Sequence, residues 1–476
     1  MTATTVTTTE LRARFAARLS VLYGTEVPAY TTLVEVSQEV NRRAVERSGQ
    51  DATRLGSIER VTAERHGAIR VGSPAEMAQV ARVFAALGMH PCGFYDLRDA
   101  HPRPIPVVST AFRPLDRDEL AINPFRVFTS MLVPEDRRFF DADLEERLRA
   151  FIGARSLFSP ALLELADRAS AEGGLDEADA ARFLDLAAES FSLTSEPIDR
   201  AWYQELARIS DVAADIGGVG STHINHLTPR VLDIDDLYTS MQARGITMID
   251  AIQGPPAWEG PDVLLRQTSF RALDEQRTFR EADGSITQGT LRVRFGEVEA
   301  RGIALTTTGR ELYEQMVAEV GTRSAGLEGE ARAAVAPQVW REHLPVTEHE
   351  LFRSGLGFFT AHDTGLEHLD DAQRRAVESG DLWTLVDTGV VETAPIVYED
   401  FLPRSAAGIF ASNLTGAGSV DESVDGQDRD VDWLSDVVGT QIAAPEAVYA
   451  AESQRSLDQV GAQLADRFGA RFAPLG

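Results

Sequence analysis

A single cysteine, Cys92, stands among 476 residues. No disulfide can form within the chain, and a zinc site built on several thiolates is excluded. Basic residues are scarce: 46 Lys and Arg stand against 74 Asp and Glu, a net charge of −28. That balance disfavours sequence-independent nucleic-acid binding, which needs a basic surface, and docking on anionic membranes. It leaves room for a small anionic substrate, because a few buried arginines can dominate one pocket. No apolar run has the length needed to span a bilayer. Met1 to Thr9 is Thr-rich and lacks the basic and apolar parts of a secretory signal, so a cytoplasmic protein is expected. Hydrophobic residues make up 43%, enough for a sizeable core in two or three domain-sized units.

What is present is a repeat. His66-Gly-Ala-Ile-Arg70-Val71 and His226-Leu-Thr-Pro-Arg230-Val231 both read H-x-x-x-R-V. Around the first, Val61–Val71 reads as a strand. Ser73-Pro74 is a helix start, and Met77, Val80, Ala81, Phe84 and Leu87 follow at helical spacing up to Gly88. Strands are expected at Met89–Leu97, Ile105–Phe112 and Phe125–Leu132. Around the second, Thr222–Val231 reads as a strand, Asp235–Arg244 as a helix, and Ile246–Ile252, Val263–Leu273 and Leu291–Arg301 as strands. Asp283-Gly284 marks a hairpin turn. The order β-α-β-β-β thus occurs twice, with His at the same place in each first strand.

The expected fold is α+β, with paired βαβββ modules forming a cupped sheet or barrel. The expected divisions are a helical segment at 1–58, the first module at 59–133, a helical insertion at 134–215, the second module at 216–308, and a mixed, helical region at 309–476 covering the core. The acidic stretch from Gly416 to Asp436 reads as a solvated loop.

Side chains four apart on a strand share a face. His66 and Arg70 therefore point one way, as do His226 and Arg230, and in a cupped sheet that face is the cavity. Two imidazoles meeting there point to a metal, and Glu297 and Glu299 on the last strand of the second module offer the anionic third ligand. The equivalent strand of the first module carries no carboxylate, so one site is expected, not two. Two His and one carboxylate with open positions form the facial triad of non-haem Fe(II) oxygenases, although zinc also fits these donors. His223 rivals His226 but falls on the opposite face. Glu299 is an alternative to Glu297, or a partner for a nearby Arg. Arg70 and Arg230 are either structural or a clamp for a substrate carboxylate. Gln267 lies on a core strand, within reach of substrate or a ligand. His343, His349, His362 and His368 lack metal-like placement, and Gly217-Gly218-Val219-Gly220 precedes a strand rather than a helix, unlike a P-loop.

The paired modules resemble the vicinal oxygen chelate superfamily. More narrowly, Arg65–Arg70, Asn225–Arg230, Phe295–Gly302 and Tyr398–Pro403 resemble the 2-oxoadipate dioxygenase/decarboxylase family, also called hydroxyglutarate synthase, over residues 30 to 415. The resemblance implies an Fe(II) enzyme of lysine catabolism. Such an enzyme converts a 2-oxo dicarboxylic acid, 2-oxoadipate, with O2 to 2-hydroxyglutarate and CO2. It places the metal on His66, His226 and Glu297 and substrate contacts on Arg70 and Ser405. Before that serine the family carries a small apolar residue where this chain has Arg404. Activity indifferent to oxygen would instead indicate an isomerase or lyase on the same scaffold. Full ligand affinity without metal would indicate a binding protein.

Overall fold

A computed structural model describes residues 5–49, 54–100, 104–271, 275–291, 294, 296–402 and 426–469. The first module is β1 (Arg65–Val71), α1 (Pro74–Ala85), β2 (His90–Asp96), β3 (Val107–Arg113) and β4 (Arg126–Leu132). Ser73 caps α1 by accepting from the Glu76 amide, with Pro74 in the first turn. Gly88 takes the left-handed conformation that turns the chain into β2. The strands lie in the order β2-β3-β4-β1, with β1 and β4 parallel.

The second module comprises β5 (His226–Pro229), α2 (Ile234–Ala243), β6 (Leu265–Ser269), a hairpin of β7 (Glu275–Arg280) and β8 (Ile286–Leu291), and β9 (Glu297–Arg301). β5 lies antiparallel beside β1, with Ala68 opposite His226 and His66 opposite Thr228. On its far side a parallel bridge joins Arg230 to Glu299, and the Val231 amide donates to the Glu299 carbonyl at 2.8 Å. β9 is antiparallel to β6, and residues 247–253 flank β6 through isolated bridges. The order β5, β9, β6, 247–253 therefore repeats β1, β4, β3, β2. Among the described residues the sheet stays an open cup and does not close into a barrel.

The second module departs from the expected pattern at its edges. Ile246–Ile252 forms single bridges rather than a strand, because Gly254-Pro255-Pro256 ends any ladder: proline has no amide to donate. The expected strand 222–231 is regular only over β5. The stretch 291–301 splits into the end of β8 and the whole of β9. Between them Gly296 sits so close to Phe270 that a Cβ would lie 1.8 Å from the ring. The Asp283-Gly284 turn joins β7 to β8, an addition to the module. Val61–Val71 is also two elements. Ser57 caps a short helix, Ile58–Ala63, by accepting from the Arg60 amide, and β1 begins only at Arg65. Asp430 caps another helix, Val431–Val438, inside the stretch read as a loop.

The convex face of the cup carries Ile69, Val71, Val127, Met131, Leu227 and Val298. These pack on Met77, Val80 and Phe84 of α1, on Leu237 and Met241 of α2, and on the N-terminal helix Thr8–Glu26 through Leu11 and Phe15. Each such side chain contributes roughly 1.5–3 kcal/mol by leaving water. The concave face over the first module is filled by helices. There the helices Ala142–Ala154, Arg200–Ala207 and Asp211–Gly218 set Leu148, Ile152, Leu206, Val212 and Ile216 in one apolar cluster with Ala68, Ala111 and Phe128. Residues 396–402 run beside β9, with the Tyr398 amide donating to the Gly302 carbonyl. Gly302 is also required for the close approach of the segment before β6, since a Cβ would lie 2.4 Å from the backbone of Asp262. The polar groups of the concave face collect at the seam of β1, β5 and β9. No described helix is long and apolar enough to cross a membrane.

Candidate metal centre

His66, His226 and Glu297 converge at that seam. They are buried, and each offers a donor atom within 4.8 Å of the others. Nε2 of His226 lies 3.3 Å from Oε2 of Glu297, and Nε2 of His66 lies 3.9 Å from the same oxygen. Donors each about 2.1 Å from a common ion and at right angles would be about 3 Å apart. The observed spacing approaches that without backbone rearrangement, so the three residues fit a cation. The two imidazoles meet edge to face at 5.3 Å between centroids. Phe401 stands over His66 at 5.0 Å and continues an apolar wall through Phe128.

Electrostatics favour the same assignment. Burial pushes the carboxyl of Glu297 well above the usual range, and the nearby Glu299 charge adds to the shift. Burial pushes His226 well below its ordinary value, with further lowering from His66 and Arg70. His66 is lowered by burial against the opposing pull of Glu299. Two neutral imidazoles and a carboxyl that ionises reluctantly are suited to a positive charge placed between them. Below its raised pKa Glu297 gives up a proton when a cation enters. Metal affinity is therefore expected to fall as the pH is lowered, starting well above the ordinary glutamate value of about 4.3. Calorimetric titration with Co(II) in buffers of different ionisation enthalpy checks this. A heat independent of buffer would show that no proton leaves.

Glu299 behaves differently from Glu297. Burial alone would raise its pKa, but Arg301, with His66 and Arg126 behind it, holds it well below the usual range. Its Oε2 lies 2.7 Å from Nδ1 of His66. Arg301 donates to both its oxygens, at 2.7 and 3.0 Å. Arg126 donates at 3.2 Å to Glu299, at 2.6 Å to Glu64 and at 2.5 Å to Glu399. Arg230 belongs to this cluster too, donating to Glu64 at 2.9 Å. It is bridged opposite Glu299 and, buried among these carboxylates, braces the sheet.

Arg70 is buried, its guanidinium 2.5 Å from Asp215 of the Asp211–Gly218 helix. Asn225 donates to the same carboxylate at 3.0 Å, and His223 lies 3.3 Å from it. His223, the rival to His226, is thus a partner of Asp215 and stands outside the triad. Gln267 is buried on β6 opposite Glu299, which sets it on the concave face. Arg404 and Ser405 lie outside the described residues. Asp215 escaped the sequence reading, and Phe401 entered it within the Tyr398–Pro403 motif without a role: both come from segments whose place over the cup is set by tertiary packing. Glu319, Glu342 and His343 also cluster, but they are partly or fully exposed and bridged by Arg323.

Residues 15–413 match the family model described as 2-oxoadipate dioxygenase/decarboxylase. The chain belongs to that family. A relative so named from Mycobacterium tuberculosis is 55% identical over 447 residues, covering 94% of this chain and 97% of that one. Another 2-oxoadipate dioxygenase/decarboxylase, from Pseudomonas putida, is 39% identical over 456 residues, covering 94% and 95%. Among solved structures, the hydroxyglutarate synthase from Pseudomonas putida superposes with a TM-score of 0.79 at 34% identity, covering 97% of this chain and 99% of that one. The same synthase in complex with 2-oxoadipate gives a TM-score of 0.79 at 36% identity, with the same coverage.

Proposed function

We propose that this chain is an Fe(II)-dependent dioxygenase/decarboxylase that converts 2-oxoadipate and O2 to 2-hydroxyglutarate and CO2. The observation that carries the reading is the convergence of His66, His226 and Glu297 on one buried point of the cup, within a chain whose named relatives act on 2-oxoadipate. Iron held by His66, His226 and Glu297 would supply the redox chemistry. The residues do the rest. Two neutral imidazoles and one carboxylate hold the cation in the 2-His-1-carboxylate arrangement. The wall of Phe128 and Phe401 keeps bulk water from the reacting carbon.

Arg70 shares the β1 face of His66, four residues along, and supplies the positive charge that grips the far carboxylate of a dicarboxylic substrate. Asp215 holds it in place. Gln267, and Ser405 with Arg404, are assigned to the substrate side of the site. Fixing both ends of a flexible chain converts an encounter into a positioned reaction, an effect able to supply several kcal/mol.

The test is oxygen uptake by anaerobically purified, Fe(II)-loaded protein over a series of 2-oxo dicarboxylic acids. The expected result is one CO2 released per O2 consumed, with 2-oxoadipate the preferred substrate. Substrate recovered intact with iron demonstrably bound would overturn the reading. In the same assay Arg70→Met is expected to raise KM for 2-oxoadipate by roughly 10- to 100-fold, the loss of about 1.5–3 kcal/mol from a charge-assisted contact. An unchanged KM would remove Arg70 from the substrate site.

A further inference from the structure

We infer that Glu299 is a positioning residue for the metal centre. It engages the Nδ1 edge of His66 so that the lone pair of Nε2 faces the cation. The inference rests on the metal reading above and adds a role for the second glutamate of the Glu297-Val298-Glu299 run.

The two edges of one imidazole are divided between neighbouring carboxylates of β9. Glu297 approaches the Nε2 edge, 3.9 Å away, and Glu299 lies 2.7 Å from Nδ1, off the N–H direction, so a turn of the ring is needed to bring that contact into line as a hydrogen bond. A neutral imidazole carries one N–H and one lone pair. A carboxylate only accepts, so the edge facing Glu299 is the one that takes the proton. Strand alternation explains why a single strand can do both. Residues 297 and 299 share a face about 6.6 Å apart, so both carboxylates rise on the side of the sheet where His66 stands.

Glu299 is itself immobilised. Arg301 holds both its oxygens and Arg126 holds one of them. Arg301 is braced in turn by the carbonyls of Tyr398 and Asp400, and Arg126 by Glu64 and Glu399. A carboxylate so fixed cannot swing to ligate the ion. Glu297, by contrast, accepts nothing from either arginine among the described residues. His66 has little freedom to turn away, with His226 on one side and Phe401 on another. The competing role, mere neutralisation of Arg126 and Arg301, would leave the tautomer of His66 and the affinity for metal untouched.

Two measurements decide between these roles. The first is nitrogen NMR of metal-free wild type labelled at histidine, with His66 assigned from the signals lost in His66→Gln. The Nδ1–H tautomer is expected, and an Nε2–H tautomer overturns the inference. The second is the Kd for Co(II) of folded Glu299→Gln, expected to weaken 10- to 100-fold, the size typical of partners that orient a metal-bound histidine. Glu64→Gln removes a carboxylate from the same arginine cluster without touching His66. It is expected to lower Tm and leave the Kd unchanged. An unchanged Kd in Glu299→Gln refutes the inference while leaving the metal site standing. A wild type that binds no divalent cation refutes both. If Glu299→Gln does not fold, the tautomer measured in the wild type gives the answer.

Discussion

Glu297→Gln is expected to lower turnover on the order of a thousandfold or more, beyond the 10- to 100-fold carried by partners one step removed from a metal. The metal-free protein, however, should be no less stable than the wild type. The reason lies in the charge state. Burial and Glu299 already keep the Glu297 carboxyl reluctant to ionise, so a neutral amide of the same shape removes no ion pair. What disappears is the gain from metal. A ligand that binds only the folded state adds about 2.7 kcal/mol at a hundredfold excess over its Kd. Thermal unfolding with and without Co(II) should therefore show a metal-dependent rise in Tm for the wild type and none for the variant, with oxygen uptake lost in parallel. A variant that keeps the full rise would show that the cation is held elsewhere.

The largest effect on folding is expected from Arg126→Ala. This guanidinium is fully buried and joins Glu64, Glu299 and Glu399. Removing it takes one cation out of a network in which Glu64 keeps Arg230, Glu299 keeps Arg301 and Glu399 keeps Arg60, and leaves an excess of negative charge out of reach of water. Breaking one buried pair from one side costs about 3–5 kcal/mol. Three partners each lose one contact and keep another arginine, so the loss should fall within that range. Set against a total of about 5–15 kcal/mol for a typical domain, that is enough to shift a cooperative urea transition far toward lower urea. Arg126→Lys retains the charge but not the fork, and should fall between the two. A loss below about 1 kcal/mol for the alanine variant would mean that water reaches the cluster.

Much of the site was legible because strand alternation is a strict rule. His66 and His226 follow from period two and from the repeat; period two offers Glu297 and Glu299 together, and the family resemblance singles out Glu297. The cup could be read for the same reason. The rest depended on information that no local window contains. Whether Glu299 meets His66 depends on how β9 sits beside β5, a register set across some seventy residues of chain. That Arg230 would be spent on Glu64 could not be read from its strand, because Glu64 precedes β1 and meets it only in the folded chain. Asp215 and Phe401 reach the site from a helix and a loop whose own patterns speak only of burial. The apolar alternation of Ile246–Ile252 looked like a strand, but the glycine and prolines after it deny the ladder its continuation.

The antiparallel seam of β1 and β5, where Ala68 lies opposite His226, has a kinetic corollary. Neither half of the molecule holds a complete set of donors, and the chain between the two histidines includes the whole helical insertion. Closing so long a loop is entropically costly and comes late relative to local structure. A nascent polypeptide therefore presents no high-affinity trap for stray ions, and capture of the cation reports that both halves have docked.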